Sequence, residues 1–124
     1  MKIYRCNVCG NILLKIKDSG VNPSCCGQNM ELLRVQTSDG ALEKHVPIVE
    51  IEPKRVCVKV GSAAHPMVEN HYIEWILLET DEGYQLKYLK PGMEPRVKFK
   101  IRKDEQVIAV YAYCNIHGLY QATL

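Results

Sequence analysis

The chain has 124 residues, 47% of them hydrophobic and 24% charged, with a formal net charge of +2. That length allows one small domain or two very small ones, and so weak a charge gives no ground for a nucleic-acid partner. No run of about 18 apolar residues occurs, and "MKIYRCNVCG" has no apolar core of signal-peptide length, so neither a membrane span nor a membrane partner is expected. The expected compartment is the cytoplasm. There, six cysteines in a short chain point to metal or redox chemistry before disulfides.

Residues 1–36 are too few to close a hydrophobic core, and segments below about 40 residues usually need a metal or disulfides to fold. They hold Cys6, Cys9, Cys25 and Cys26 and no histidine. "CNVCG" is a Cys-x2-Cys turn, fifteen residues separate it from "CCG", and Gly10 allows a tight backbone path. Four such sulfurs form a tetrahedral site for either zinc or a single iron; spacing does not choose between them. The adjacent pair cannot share the Cys-x2-Cys geometry, so a distorted angle is expected at Cys25 and Cys26.

"TSDGA" then supplies a polar, glycine-containing break, and residues 37–42 are read as a linker. From residue 43 to 124 the pattern is that of short strands. "RVCVKV" alternates, with Val56, Val58 and Val60 opposite Arg55, Cys57 and Lys59. "IEWILLE" follows, then a turn at "TDEGY", then "QLKYL" and a break at "KPGMEP". In "RVKFKIR", Val97, Phe99 and Ile101 oppose Arg96, Lys98, Lys100 and Arg102, so "RVKFKIRK" is one face of a strand and not a phosphate-binding tract. "QVIAVYAYC" is a longer apolar strand ending on Cys114. Period-2 alternation with closely spaced turns predicts an all-β chain, an antiparallel sandwich or barrel, with no helix and no repeat.

All four histidines lie in this second part: His45, His65, His71 and His117. Each falls at a strand boundary or on a connection, where scaffolds present ligands. His45 is expected on an extended run into Pro47, and Pro66 restricts His65 to extended geometry. Cys114 precedes His117 by three positions in "YCNIHG". Zinc prefers four ligands. A blue-copper site would need an axial methionine after the histidine, and "GLYQATL" contains none. Four nitrogens and one sulfur fit iron with one open position, hence a small substrate bound there.

"CNVCG…CCG", "EKHVP", "GSAAHPMVENHYIEWI", "LKPG" and "YCNIHG", in this order, resemble desulfoferrodoxin, the two-iron form of superoxide reductase, over essentially the whole chain. The resemblance implies a small desulforedoxin-like, metal-bound domain with Fe(Cys)4 ligated by Cys6, Cys9, Cys25 and Cys26. It implies, next, an immunoglobulin-like antiparallel β-sandwich of the neelaredoxin type. There the four histidines would be equatorial and Cys114 axial in an Fe(His)4Cys centre. Two irons per chain follow, with zinc or calcium as adventitious occupants. Glu43 would match a glutamate that can take the sixth position of the ferric state, and Lys44 a lysine beside the open face. The implied activity is one-electron reduction of superoxide to hydrogen peroxide without release of dioxygen. A rubredoxin-like electron donor, a homodimer and a part in superoxide detoxification are implied with it. Cys57 matches no family ligand and is read as a bystander. The alternatives are a non-enzymatic iron electron-transfer protein, a zinc-ribbon binding module and a superoxide dismutase.

Overall fold

The computed structural model describes residues 1–39 and 44–124. Among them every regular element is a β-strand, and no helix is long and apolar enough to cross a membrane. Two compact units divide the chain, Met1–Arg34 and Val35–Leu124.

In the first unit, β1 (Ile3–Arg5) pairs antiparallel with both β2 (Ile12–Leu14) and β5 (Glu31–Leu32), and β3 (Ser24–Cys25) forms a short ribbon with β4 (Gln28–Asn29). Its buried apolar residues are few: Ile3, Tyr4, Cys6, Met30 and Leu33, with Cys25 packed against Tyr4, Cys6 and Met30. So little apolar burial cannot offset the ordering entropy of thirty-odd residues. The loop after β2 is tied by Asp18, which accepts Lys15 Nζ at 2.7 Å and Lys2 Nζ at 2.9 Å. Those two ammonium groups hold the Asp18 carboxyl well below the usual range.

The second unit is a two-layer sandwich. Its strands are β6 (Val35–Gln36), β7 (Pro47–Glu52), β8 (Arg55–Val60), β9 (Ile73–Thr80), β10 (Gly83–Tyr88), β11 (Arg96–Lys100), β12 (Val107–Cys114) and β13 (Gly118–Gln121). One sheet runs β10-β9-β12-β13-β6 and the other β11-β8-β7. All pairings are antiparallel except the parallel one between β13 and β6. The alternation of β8 is realised: Val56, Val58 and Val60 are buried, and with Phe99 they meet Ile76, Leu78, Val110 and Ala112 of the larger sheet. Cys57 sits half-buried on the outer face, opposite Glu50 and Lys98.

At one end of the sandwich Thr80 Oγ1 donates to Glu105 Oε2 at 2.5 Å, and Glu105 Oε1 accepts the Arg102 N–H at 2.9 Å. These bonds lower the Glu105 pKa, the Thr80 hydroxyl contributing most. Register places the candidate ligand positions at the opposite end. Pro47 pairs with Val60, and Cys114 pairs with both Ile73 and Gly118. The start of β7, the end of β8, the start of β9 and the β12–β13 turn therefore open onto a common region.

Phe99 is fully buried and joins the two layers. Phe99→Ala is expected to destabilise this unit by about 3–5 kcal/mol. Urea unfolding followed by fluorescence of Trp75, the sole tryptophan, reads this unit directly; an unchanged midpoint would place the core elsewhere.

Candidate metal centres

The four cysteines of the first unit converge, their sulfurs forming one potential metal-binding group. None of them is in a disulfide. Cys9 Sγ lies 3.6 Å from Cys25 Sγ, and Cys25 Sγ lies 3.9 Å from Cys26 Sγ. Bonds of about 2.3 Å to one ion put the sulfurs of a tetrahedron about 3.8 Å apart, so these separations fit a closed tetrathiolate site. The crowding expected of the adjacent pair falls on the backbone. Cys26 has φ +53°, the one positive φ among the described non-glycine residues. Such a conformation costs about 1–3 kcal/mol in a residue with a Cβ.

Electrostatics show what the site lacks without a cation. The backbone N–H groups of Cys9 and Val8 pull the Cys6 thiol down to about 6. The thiols of Cys9, Cys25 and Cys6 then push Cys26 up to about 12, and Cys9 and Cys6 also raise Cys25. The Cys6 thiolate is favoured, and Cys25 and Cys26 resist ionising beside it. A bound cation removes that conflict.

In the second unit the four imidazoles close a ring. Centroid separations run 4.5 Å from His45 to His65, 4.9 Å from His65 to His71, 5.2 Å from His71 to His117 and 4.8 Å from His117 back to His45. Each pair meets edge to face. The donor atoms of His45, His65, His71 and Cys114 all lie within 4.8 Å of one another. His117 Nδ1 joins them, 3.1 Å from His45 Nε2 and 3.8 Å from Cys114 Sγ. Two nitrogens at right angles on bonds of about 2.1 Å would stand about 3.0 Å apart. The donor set therefore fits a single ion held by four nitrogens and one sulfur.

Local structure explains each placement. Cys114 ends β12, Gly118 starts β13, and the three residues between them form the hairpin turn, with Gly118 at φ +91°. That turn brings Cys114 and His117 to one point while leaving Cys114 fully buried in the apolar core and His117 exposed. His65 Nδ1 is 2.7 Å from the Pro66 carbonyl; an N–H there fixes the proton on Nδ1 and leaves Nε2 as the donor. His71 lies in a tight turn closed by reciprocal bonds with Val68. Asn115 braces that turn, its Oδ1 accepting the Tyr72 N–H and its Nδ2 donating to the Asn70 carbonyl, both at 3.0 Å.

Sequence reasoning missed several supporting residues. Tyr120 stacks on His45 at 4.5 Å, nearly parallel. Gln36 Nε2 donates to the His117 carbonyl at 2.8 Å. Asp39 accepts the backbone N–H groups of His45 and Val46. The last contact revises an expectation: the chain bends at Val46 instead of running extended into Pro47. Lys44 directly precedes the ring and is half-buried; Glu43 lies outside the described residues.

The family model of desulfoferrodoxin matches residues 37–123, and that of the desulfoferrodoxin N-terminal domain matches residues 1–33. The chain belongs to the desulfoferrodoxin family. It is 49% identical over 122 residues to a desulfoferrodoxin homolog of Archaeoglobus fulgidus, covering 98% of this chain and 96% of that one. It is 46% identical over 121 residues to a desulfoferrodoxin of Nitratidesulfovibrio vulgaris, covering 98% and 94%. Among solved structures, the superoxide reductase of Treponema pallidum superposes with a TM-score of 0.85 at 35% identity, covering 98% of this chain and 97% of that one. The two donor sets, one in each matched region, are those of a two-iron desulfoferrodoxin.

Removal of metal from the four-cysteine site is expected to unfold Met1–Arg34, because the core of this unit is too small to hold it. Amide hydrogen exchange of metal-loaded and chelated protein tests this. Protection of β1 and β5 that survives chelation would contradict it.

Proposed function

We propose that this chain is a superoxide reductase, catalysing superoxide plus one electron and two protons to hydrogen peroxide. The observation that carries the proposal is the ring of four imidazoles around a core-buried thiolate, with one imidazole at the solvent edge. His45, His65, His71, His117 and Cys114 are the ligands in this reading. Cys6, Cys9, Cys25 and Cys26 hold the second iron. Iron at the mixed site, when bound, supplies one electron to a small ligand at the position that five protein donors leave open.

The protein groups supply the rest. Cys114 is 0% exposed among aliphatic side chains, and an anionic sulfur there raises electron density at the site in a low-dielectric surrounding. His65 is oriented through Pro66, and the stacked Tyr120 ring limits rotation of His45. Lys44, next to His45, provides a cation that draws in the anionic substrate and orients water for protonation at the exposed edge. Glu43 would supply a carboxylate to the metal held there.

The electron donor in this proposal is a rubredoxin-type carrier, and the four-cysteine iron serves electron transfer or holds its unit together. The chain works as a homodimer in the cytoplasm, detoxifying superoxide. Six cysteines, none in a disulfide, accord with a reducing compartment. Tyr84, Leu86 and Tyr88 present an exposed apolar edge on β10 suited to a second copy, Tyr88 being 73% exposed. A purely electron-carrying role has less support, because a carrier gains nothing from a donor set that opens onto a wet edge at His117.

Lys44→Ala is expected to lower the bimolecular rate with superoxide by about tenfold at low ionic strength and to flatten its salt dependence. An unchanged rate at low salt would remove Lys44 from the mechanism. Glu43→Ala is expected to alter the ferric absorption spectrum while leaving the first step nearly intact; an identical spectrum would refute ligation. Azide should perturb the spectrum of the mixed site, and indifference to azide would favour the electron carrier.

A further inference from the structure

Two groups that neither hold metal nor meet substrate grip the segment carrying Lys44 and His45. Asp39 Oδ1 accepts the His45 N–H at 2.6 Å and the Val46 N–H at 2.8 Å. In an extended strand successive N–H groups point to opposite sides. Here both converge on one oxygen, so the carboxylate holds the bend that turns His45 toward the other imidazoles. From another direction the backbone of Gly61 lies against Lys44. Gly61 has φ +86°, and a Cβ there would stand 2.5 Å from the carbonyl oxygens of both Lys44 and Ala63 and 3.1 Å from Lys44 Cβ. Only glycine allows that approach, and the Gly61 N–H also reaches the Val46 carbonyl at 3.4 Å.

We propose that Asp39 is a positioning residue for the mixed site: with Gly61 as a backstop, its two hydrogen bonds fix the backbone of Lys44–Val46. They thereby set where the His45 ring and the Lys44 side chain begin. The part of this that concerns Lys44 rests on the superoxide reductase reading; the part that concerns His45 does not. Asp39 acts through its neighbours, which separates it from a loop cap whose loss would cost only stability. A carboxylate is not required, since an asparagine oxygen can accept the same two bonds.

The test compares wild type, Asp39→Ala and Asp39→Asn as full-length, metal-loaded proteins, with Lys44→Ala and the Asp39→Ala/Lys44→Ala double variant. Amide exchange at His45 and Val46 should quicken about tenfold in Asp39→Ala, as expected when two ordinary hydrogen bonds are lost, and recover in Asp39→Asn. Cobalt(II) affinity of the mixed site should fall several-fold in Asp39→Ala alone. In superoxide kinetics Asp39→Ala should flatten the salt dependence, and the double variant should lose less than the product of the two single losses. Unchanged exchange at His45 and Val46 overturns the proposal. So does faster exchange with unaltered cobalt affinity and unaltered salt dependence, which would make Asp39 a loop cap only. If wild-type protein fails to reduce superoxide, the functional reading falls, and exchange with cobalt affinity alone decides the clamp. Gly61→Ala, its folding checked by Trp75 fluorescence, should displace Lys44 and flatten the salt dependence; a wild-type response would discard the backstop.

Discussion

Four imidazoles and a thiolate brought within a few ångströms of one another are held together usefully only by a cation, and the second unit is arranged around that demand. Ring nitrogens facing inward at about 3 Å repel one another unless they share a proton or a metal ion. The sandwich resolves this by directing five donors from three connections to one end and burying the sulfur in the core. Tyr120, Gln36 and Asn115 then limit how far the connections can relax. These residues are bound to a site they do not ligate, which is the usual division between metal ligands and the groups that orient them.

The two donor sets differ in what they permit. Four sulfurs near tetrahedral spacing close around an ion and leave no place for a substrate, which suits a staple or an electron store. Four nitrogens and one sulfur leave an ion incompletely enclosed, and the exposure of His117 brings water to that side. Chemistry on a small anion suits the second set, and the closed first set suits electron transfer or the holding together of a unit with so small a core. The strained Cys26 backbone fits this view, because strain of that kind persists only where surrounding bonds over-determine it.

Much of this architecture was legible in the sequence. The alternation of "RVCVKV" and "RVKFKIR" assigned inner and outer faces correctly, since a strand buried on one side must repeat every second residue. Candidate ligands could be named because cysteine and histidine are partitioned along the chain and fall near strand ends, and the structure brings those side chains together. Strand β6 was not: two residues show no period, and its partner β13 lies more than eighty positions away. Asp39 sat inside a segment read as a polar break, because its partners are backbone N–H groups and every residue type but proline offers one. The bend at Val46 was hidden too: Pro47 favours extended geometry in the residue before it, and the bonds from Asp39 that oppose this join groups the sequence does not pair. Tyr120 looked like any strand aromatic until tertiary packing laid it on His45.

The central claim is that the mixed site reduces superoxide in one direction. It is tested most directly by rapidly mixing anaerobically reduced, iron-loaded protein with a pulse of superoxide and quantifying peroxide and dioxygen, with Cys114→Ser as control. The expected result is peroxide equal to the superoxide consumed, no dioxygen, and loss of the reaction in the control. Dioxygen released alongside peroxide would make the chain a dismutase, and a site that does not respond to superoxide would contradict the account altogether.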